Sequence, residues 1–359
     1  MTQTYSIAAG EIESALSKED REALREIAEL YQDQILPSSA QLAGGRGQGL
    51  MMVKPEQDAV KEELIRSYEL LGKKIEAMVG REPNLHVYSF DTENEEQRGE
   101  VSRLIAKLRS TQTRQEEFTY YIQRAYELLF KQVFIRSHPA ERNYILAETP
   151  VTDPCPNYAV HRVPSVDRQI EKTVMCVMLR GALLPSMILS KEIEEYSSSS
   201  HMTPFALFRI KRDEEGPELN YVIDLDHSYF RKEDLADAHL LFADPMHATG
   251  GSILTILRYL EEMNIRPRKV SLIHVITNLS GAINIARVIP WVSLYTLWMD
   301  PMLNEHSYIM PGLGDAGDRL NGVDLFQPRN LIQLIADYGS NISSLYRRQI
   351  RCIEQSVLG

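Results

Sequence analysis

The densest chemistry in the sequence lies at Asp244-Pro245-Met246-His247-Ala248-Thr249-Gly250-Gly251-Ser252. Asp244 supplies a carboxylate suited to accepting hydrogen bonds from sugar hydroxyls. Five residues on, Thr249 to Ser252 offers hydroxyls and two residues without Cβ, so an anion can approach the backbone N–H groups closely. A nucleoside-triphosphate loop would need a Lys beside the Ser, and a dinucleotide loop three glycines over six positions; neither pattern is present. Carboxylate and turn together describe a site for a phosphorylated ribose. Standing alone, the same residues read equally well as a glycine turn in any α/β unit.

Such a loop needs a strand before it and a helix after it. Leu240 to Ala243 form an apolar run that stops at Asp244, and Ile253, Leu254, Ile256, Leu257 and Leu260 keep helical spacing. The reading is a buried strand, a tight turn, and a helix whose first N–H groups face the turn. The same alternation continues on both sides. Residues 173–179 read as a continuous apolar strand ending at Arg180-Gly181-Ala182, followed by a helix over 186–196. Strands over 205–210 and 219–224 form a hairpin through Arg212-Asp213-Glu214-Glu215. Residues 270–276, 280–288 and 292–299 read as strand, helix and strand, and 329–353 as a closing helix with Leu331, Leu334, Ile335, Ile342 and Leu345 inside. Alternation of this kind predicts a parallel sheet with helices on both faces and ligands at the carboxyl ends of the strands, where Arg180, Asp244 and 308–316 fall.

Upstream, 85–90 reads as a strand, 104–118 as helix, turn and the start of a second helix, and 144–151 as a strand. The stretch 152–167 reads as a loop carrying His161 and Arg162 as surface or packing residues. Residues 11–36 carry an amphipathic helical pattern, with a break at Leu36-Pro37-Ser38-Ser39 and a glycine-rich linker or arm at 44–49. Residues 55–79 form a further helix. His274, inside an apolar strand, reads as a hydrogen-bonded core residue.

At 359 residues the chain can hold one full catalytic core plus an extension. Its net charge of -11 argues against a nucleic-acid surface, which needs clustered Lys and Arg. Cys155, Cys176 and Cys352 have no C-x-x-C spacing, so no metal-cysteine site is expected. No stretch approaches a membrane span or a signal h-region, which predicts a cytoplasmic protein with no membrane partner.

The Asp244 to Ser252 stretch resembles the ribose-phosphate motif of type I phosphoribosyltransferases, in the form found in uracil phosphoribosyltransferase, which typically has Leu where this chain has His247. A second segment is similar to that family's uracil-binding segment over nearly every position: Leu303-Asn304-Glu305-His306-Ser307-Tyr308-Ile309-Met310-Pro311-Gly312-Leu313-Gly314-Asp315-Ala316-Gly317-Asp318-Arg319. The resemblance implies a type I phosphoribosyltransferase fold, an α/β architecture with a central parallel sheet flanked by helices and a protruding β-hairpin. It covers 81–359 as the catalytic domain and leaves 1–80 as a helical N-terminal extension with a Gly-rich linker.

By that resemblance the chain would transfer 5-phosphoribose from phosphoribosyl pyrophosphate (PRPP) to uracil, giving uridine monophosphate and pyrophosphate in pyrimidine salvage. Arg180, Arg212 and Mg²⁺, bound with PRPP rather than by protein ligands, would take the leaving charge. Asp244, Pro245, Met246, His247, Ala248, Thr249, Gly250, Gly251, Ser252 and Asp315 would hold the remainder of PRPP. Ile309, Gly314, Asp315 and Ala316 would hold uracil by main-chain bonds, and Arg180, Arg212 and Asp315 are the catalytic candidates. The family reads Arg-Ala-Gly-Leu-Gly where this chain has Arg180-Gly181-Ala182-Leu183-Leu184-Pro185. For His247 two placements are open, against the phosphate or outward. A homodimer or homotetramer is implied. Two alternatives stand beside this reading: a relative acting on another pyrimidine-like base, and a non-catalytic nucleotide-binding or regulatory protein using 1–80 for partners.

Overall fold

The computed structural model describes residues 3–8, 16–43, 59–90, 95–136, 142–199, 202–213, 220–322 and 331–358. The expectations for 11–15, the glycine-rich linker at 44–49, the hairpin tip with Glu214 and Glu215, and the first two residues of the closing helix lie outside them. The chain begins with β1 (Thr4–Ala8), α1 (Lys18–Leu30), α2 (Leu36–Ala43) and α3 (Ala59–Val79). Next come β2 (Leu85–Val87), α4 (Glu95–Arg109), α5 (Gln115–Phe130), β3 (Arg142–Glu148), β4 (Tyr158–Pro164) and the short α6 (Asp167–Ile170). The alternating part follows as β5 (Thr173–Leu179), α7 (Leu183–Tyr196), β6 (Phe205–Asp213), β7 (Asn220–Tyr229), α8 (Lys232–Leu235), β8 (His239–His247), α9 (Gly251–Glu262), β9 (Lys269–Asn278), α10 (Leu279–Val288) and β10 (Ser293–Asp300). β11 (Met302–Leu303), β12 (Ile309–Met310), α11 (Ala316–Asn321) and α12 (Leu331–Leu358) close it.

The main sheet has the order β1-β7-β6-β5-β8-β9-β10-β2. From β6 to β2 every neighbouring pair is parallel, while β6–β7 and β7–β1 are antiparallel. This is the α/β architecture expected. The central strands β5, β8 and β9 carry long apolar runs because helices cover both faces, and Val174 to Val177, Leu240 to Ala243 and Val270 to Ile276 are buried. Cys176 lies inside β5 with no exposure, and burial pushes its thiol up. Cys155 and Cys352 are exposed thiols. No helix among the described residues is long and apolar enough to cross a membrane.

Four details differ from the sequence reading. The N-terminal region is not purely helical: β1 pairs with β7, Thr4 opposite Asp224 and Ala8 opposite Asn220, and covers the edge of the hairpin. The break at 36–39 is instead helical. A widened π turn at Tyr31–Ile35 leads without a break into α2, so Pro37 lies within continuous helix and removes one rung of the ladder directly after the widened turn. The 152–167 loop contains β4, so His161 and Arg162 stand on a hairpin strand opposite Ile145 and Tyr144, both exposed to solvent. On α12, Leu334 and Tyr338 are buried but Ile335 is 45% exposed, because one residue of helix turns the side chain about 100° away from the packed face.

Candidate active site

β8 carries the chain through the core to Asp244. One carboxylate oxygen of Asp244 accepts the Met246 N–H at 3.0 Å. Burial pushes its carboxyl up to about 6; the Met246 N–H opposes that, the Asp315 carboxylate adds to it, and Arg212 counters. Behind it His274, on β9, has Nδ1 2.7 Å from the Asp244 carbonyl oxygen, which makes Nδ1–H the donor. His274 is the hydrogen-bonded core histidine read from the sequence, with no solvent exposure.

The turn after Asp244 depends on glycine at two places. Gly250 has φ +81°, which L side chains rarely adopt. A Cβ on Gly251 would fall inside the ring of Tyr221, a β7 residue 1% exposed. The Tyr221 hydroxyl hydrogen-bonds the Thr249 hydroxyl, and Thr249 Oγ1 in turn accepts the Gly251 N–H at 3.2 Å. From the other side Gly281 of α10 seats against Ala248, where a Cβ would meet the Ala248 carbonyl oxygen. The turn is therefore held between β7 and α10, with the first N–H groups of the twelve-residue helix α9 facing the space in front.

His247 does not point outward. It is 2% exposed, its ring centroid lies 4.8 Å from that of His274, and it sits beneath Gly250, whose Cβ position is 3.2 Å from Nε2. Burial holds its pKa down to about 4, so the ring is neutral at pH 7.

Arg180 follows β5 after a cis Leu179–Arg180 peptide. Its guanidinium donates to Asp318 at 3.0 Å and to the Gly322 carbonyl at 3.1 Å. Where the family has a second glycine, α7 begins at Leu183, and Pro185 falls in its first turn, whose N–H groups have no intrahelical partner. Arg212 on β6 stands opposite Tyr221 in the hairpin register.

The 303–319 segment is pinned at several points. The Asn304 side-chain oxygen accepts the His306 and Tyr308 N–H groups at 3.0 and 2.9 Å. Asp300 accepts the Gly312 N–H at 3.1 Å and pairs with Arg109 at 2.6 Å. Arg319 reaches the carbonyls of Leu313 at 2.7 Å and Ser110 at 3.1 Å and stacks 4.1 Å over the Phe118 ring. Gly312 and Gly314 take positive φ of 62° and 77°. Asp315 caps α11, accepting the Asp318 N–H at 2.9 Å.

These pieces surround one cavity of about 800 Å³ at the carboxyl ends of β5, β6 and β8, walled also by the segment that follows β10. Arg180, Arg212, Asp244, Met246 to Ser252, Ile309 and Gly314 to Ala316 all line it. Pro245 does not; it is buried behind the wall. Tyr308, within the 308–316 segment expected at the strand ends, lines the cavity; Lys211 lines it as well, unforeseen from the sequence, and Tyr221 and Asp318 act on its walls. Tyr221 could have been found from the alternation of the returning strand, in which every second residue faces inward. Among the described residues no group of three or more His, Cys, Asp or Glu side chains is arranged to hold a metal ion.

Comparison with known proteins matches residues 96–322 to the family model described as Uracil phosphoribosyltransferase. A uracil phosphoribosyltransferase of Mycoplasma genitalium is 39% identical over 97 residues, 26% of this chain and 46% of that protein. One from Symbiobacterium thermophilum is 44% identical over 89 residues, 25% of this chain and 42% of that protein. The chain thus spans a little under half the length of these relatives. The AQ2163 protein of Aquifex aeolicus superposes with a TM-score of 0.47 at 22% identity, over 67% of this chain and all of that one. The family match takes in well over half of the sequence and runs through both motifs that line the cavity, so the chain belongs to the uracil phosphoribosyltransferase family.

Proposed function

We propose that the chain transfers 5-phosphoribose from PRPP to N1 of uracil, releasing pyrophosphate and forming uridine monophosphate for pyrimidine salvage. The observation that carries this reading is the convergence of Arg180, Arg212, Asp244, the 249–252 turn and the 309–316 segment on one 800 Å³ cavity. In the reaction the bond from C1 of the ribose to the pyrophosphate oxygen breaks with its electron pair going to pyrophosphate, the bond from C1 to N1 of uracil forms, and the N1 proton passes to solvent. The N–H groups of the 249–252 turn bind the 5-phosphate, and Asp244 accepts from the ribose hydroxyls. Arg180 and Arg212 draw charge from the departing pyrophosphate. Ile309, Gly314, Asp315 and Ala316 read the uracil edge by main-chain groups, and Asp315 lies toward the sugar.

Mg²⁺ fits this site as an ion carried on PRPP oxygens, since Asp244 and Asp315 face the cavity as carboxylates without forming a closed set of protein ligands. When bound it would neutralise pyrophosphate charge. Residues 1–80 act as an extension of the 81–359 catalytic domain, and the protein works as a cytoplasmic homodimer or homotetramer.

The test is uridine monophosphate formation from uracil, PRPP and Mg²⁺ by the wild type and by Asp315→Asn. Turnover in the wild type that is lost in the variant supports the assignment. Absence of turnover with uracil, together with turnover of another pyrimidine base in a competition assay, transfers the site to that base.

A further inference from the structure

The first strand of the chain lies outside residues 96–322, which the family model matches, yet it is built onto the hairpin that carries Arg212. β5 ends at Leu179, opposite Arg209 of β6. From Ile210 to Asp213 β6 pairs only with β7 among the described residues, so this half of the hairpin stands clear of the body of the sheet. A two-stranded ribbon is marginally stable in water and needs a further strand or a helix behind it. β1 supplies that strand, with Tyr5 opposite Ile223 and Ala8 opposite Asn220. The pairing runs on past its end: the Gln3 carbonyl accepts the Leu225 N–H at 3.0 Å, and the Gln3 N–H donates to the Asp226 carboxylate at 3.3 Å.

Residues directly opposite one another in an antiparallel ladder share a face. Ile7 stands opposite Tyr221 and Tyr221 opposite Arg212, so the three form one row across β1, β7 and β6. Every member of this row has a defined place. Arg212 lines the cavity. The Tyr221 ring fills the space beside Gly251, and its hydroxyl meets that of Thr249. Ile7 is 6% exposed and belongs to the core cluster that contains the sheet. The next row is Tyr5, Ile223 and Ile210. There the Tyr5 ring lies 5.1 Å from that of Tyr259, and the Tyr5 hydroxyl donates to Glu262 at 2.8 Å, both on the last turns of α9. β1 thus grips the tail of α9 while Tyr221 abuts its head, about 15 Å away.

We infer that β1 is a working part of the phosphate-binding site. Ile7 and Tyr5 are positioning residues that hold the protruding half of the hairpin against α9, and through it Arg212, Tyr221 and the 249–252 turn. This rests on the proposed function for the identity of the ligand, PRPP, but not for the mechanical link. It joins the first residues of the chain to the active site, in place of an arm for partners.

The experiment uses the full chain with Ile7→Ala, which removes packing from the row, and Ile7→Asp, which sets a charge in it. Ile7→Val is the conservative variant. Ile27→Ala, the same truncation at a residue of α1 that is 3% exposed, is the control for lost core packing. Two readouts are taken: amide hydrogen exchange over 220–223 and 249–252, and the calorimetric Kd for PRPP alongside KM for PRPP and for uracil. The expected result is faster exchange in both segments in Ile7→Ala and more so in Ile7→Asp, with Ile7→Val and the control close to wild type there. With it, Kd and KM for PRPP rise about five-fold in Ile7→Ala at unchanged KM for uracil. Unchanged exchange at 249–252 with unchanged PRPP affinity overturns the inference even if 220–223 exchanges faster, because the hairpin then moves without carrying the turn. So does exchange raised throughout the chain with the same loss of affinity in Ile27→Ala, which marks general destabilisation. If the wild type does not bind PRPP, the functional reading fails while exchange at 249–252 still decides the positioning role.

Discussion

The ring of Tyr221 occupies the space that a side chain at Gly251 would need. The strand that returns from the hairpin therefore reaches across the sheet and dictates a glycine at the head of α9. It also ties its hydroxyl to Thr249 two residues earlier. Gly251→Ala must displace a buried aromatic ring, so we expect a loss of about 1–3 kcal/mol in stability and a larger loss in PRPP affinity. Tyr221→Phe keeps the packing and removes one hydrogen bond, at about 1 kcal/mol. Urea unfolding and PRPP titration of both variants check this order, which is reversed if the hydroxyl matters more than the packing.

Gly281 makes the same point from the opposite side, with a harder neighbour. Its missing Cβ would meet the Ala248 carbonyl, a backbone atom that cannot rotate away. Gly281→Ala should abolish PRPP binding at a cost of only a few degrees in melting temperature, because the collision is relieved by moving the turn and not the core. Calorimetry for binding and a thermal melt for stability separate the two effects.

The Asp244 turn was readable from sequence because strand, loop and helix are consecutive: apolar run, acid, small residues and helical spacing all fall within about twenty positions. The same holds for β5, β9 and β10, whose apolar runs are near-continuous because helices bury both faces. What could not be read is tertiary. The contact of Tyr221 with Gly251, the pairing of β1 with β7 and the packing of Tyr31 into the core that contains the sheet each join segments far apart in the chain, and none leaves a local period. His247 shows the limit within a legible motif. Its chemistry as a titratable ring was plain, but its burial against His274 depends on β9, about thirty residues further on. Ile335 failed for a related reason, since α12 packs along a narrow stripe through Leu334 and Tyr338 and leaves other apolar positions outside.

The buried histidines predict an acid-side loss of stability. His247 and His239 are held down to about 4 and about 3, and His274 well below its ordinary value, each mainly by burial. A folded pKa below the unfolded value near 6.5 means that the unfolded chain binds the extra proton. Stability is then complete above about pH 6.5 and falls as the pH drops toward 4. Asp244 has the opposite sign, because its folded pKa of about 6 lies above the unfolded value, so its ionisation lowers stability as pH rises from about 4 to 6. The histidines outnumber it. His247→Leu should flatten the acid limb of a urea-midpoint against pH curve by up to about 3 kcal/mol. An unchanged limb would mean that the imidazole is solvated.

The ionisation of Asp244 also bears on catalysis. In the proposed role only the carboxylate can accept from two ribose hydroxyls, so kcat/KM for PRPP should fall about ten-fold per pH unit below about 6. Asp244→Asn should remove that limb and leave a low, flat profile. A limb that persists in Asp244→Asn assigns the titration to another group.

Arg180 is proposed to receive pyrophosphate, yet its guanidinium is engaged with Asp318 at 3.0 Å and the Gly322 carbonyl. Both side chains are partly open to solvent, 26% and 38%, so the pair is a weak one, worth at most about 1 kcal/mol. An incoming pyrophosphate carries more charge than one carboxylate and can displace Asp318. Asp318→Asn removes the competing charge and should tighten product inhibition by pyrophosphate by up to about five-fold. Arg180→Lys should weaken it, since an ammonium lacks the paired donors of the guanidinium. Measuring pyrophosphate inhibition constants for the two variants against the wild type gives opposite shifts if Arg180 exchanges one anion for the other. Parallel shifts would show that the contact with Asp318 serves only to hold α11 against the end of β5.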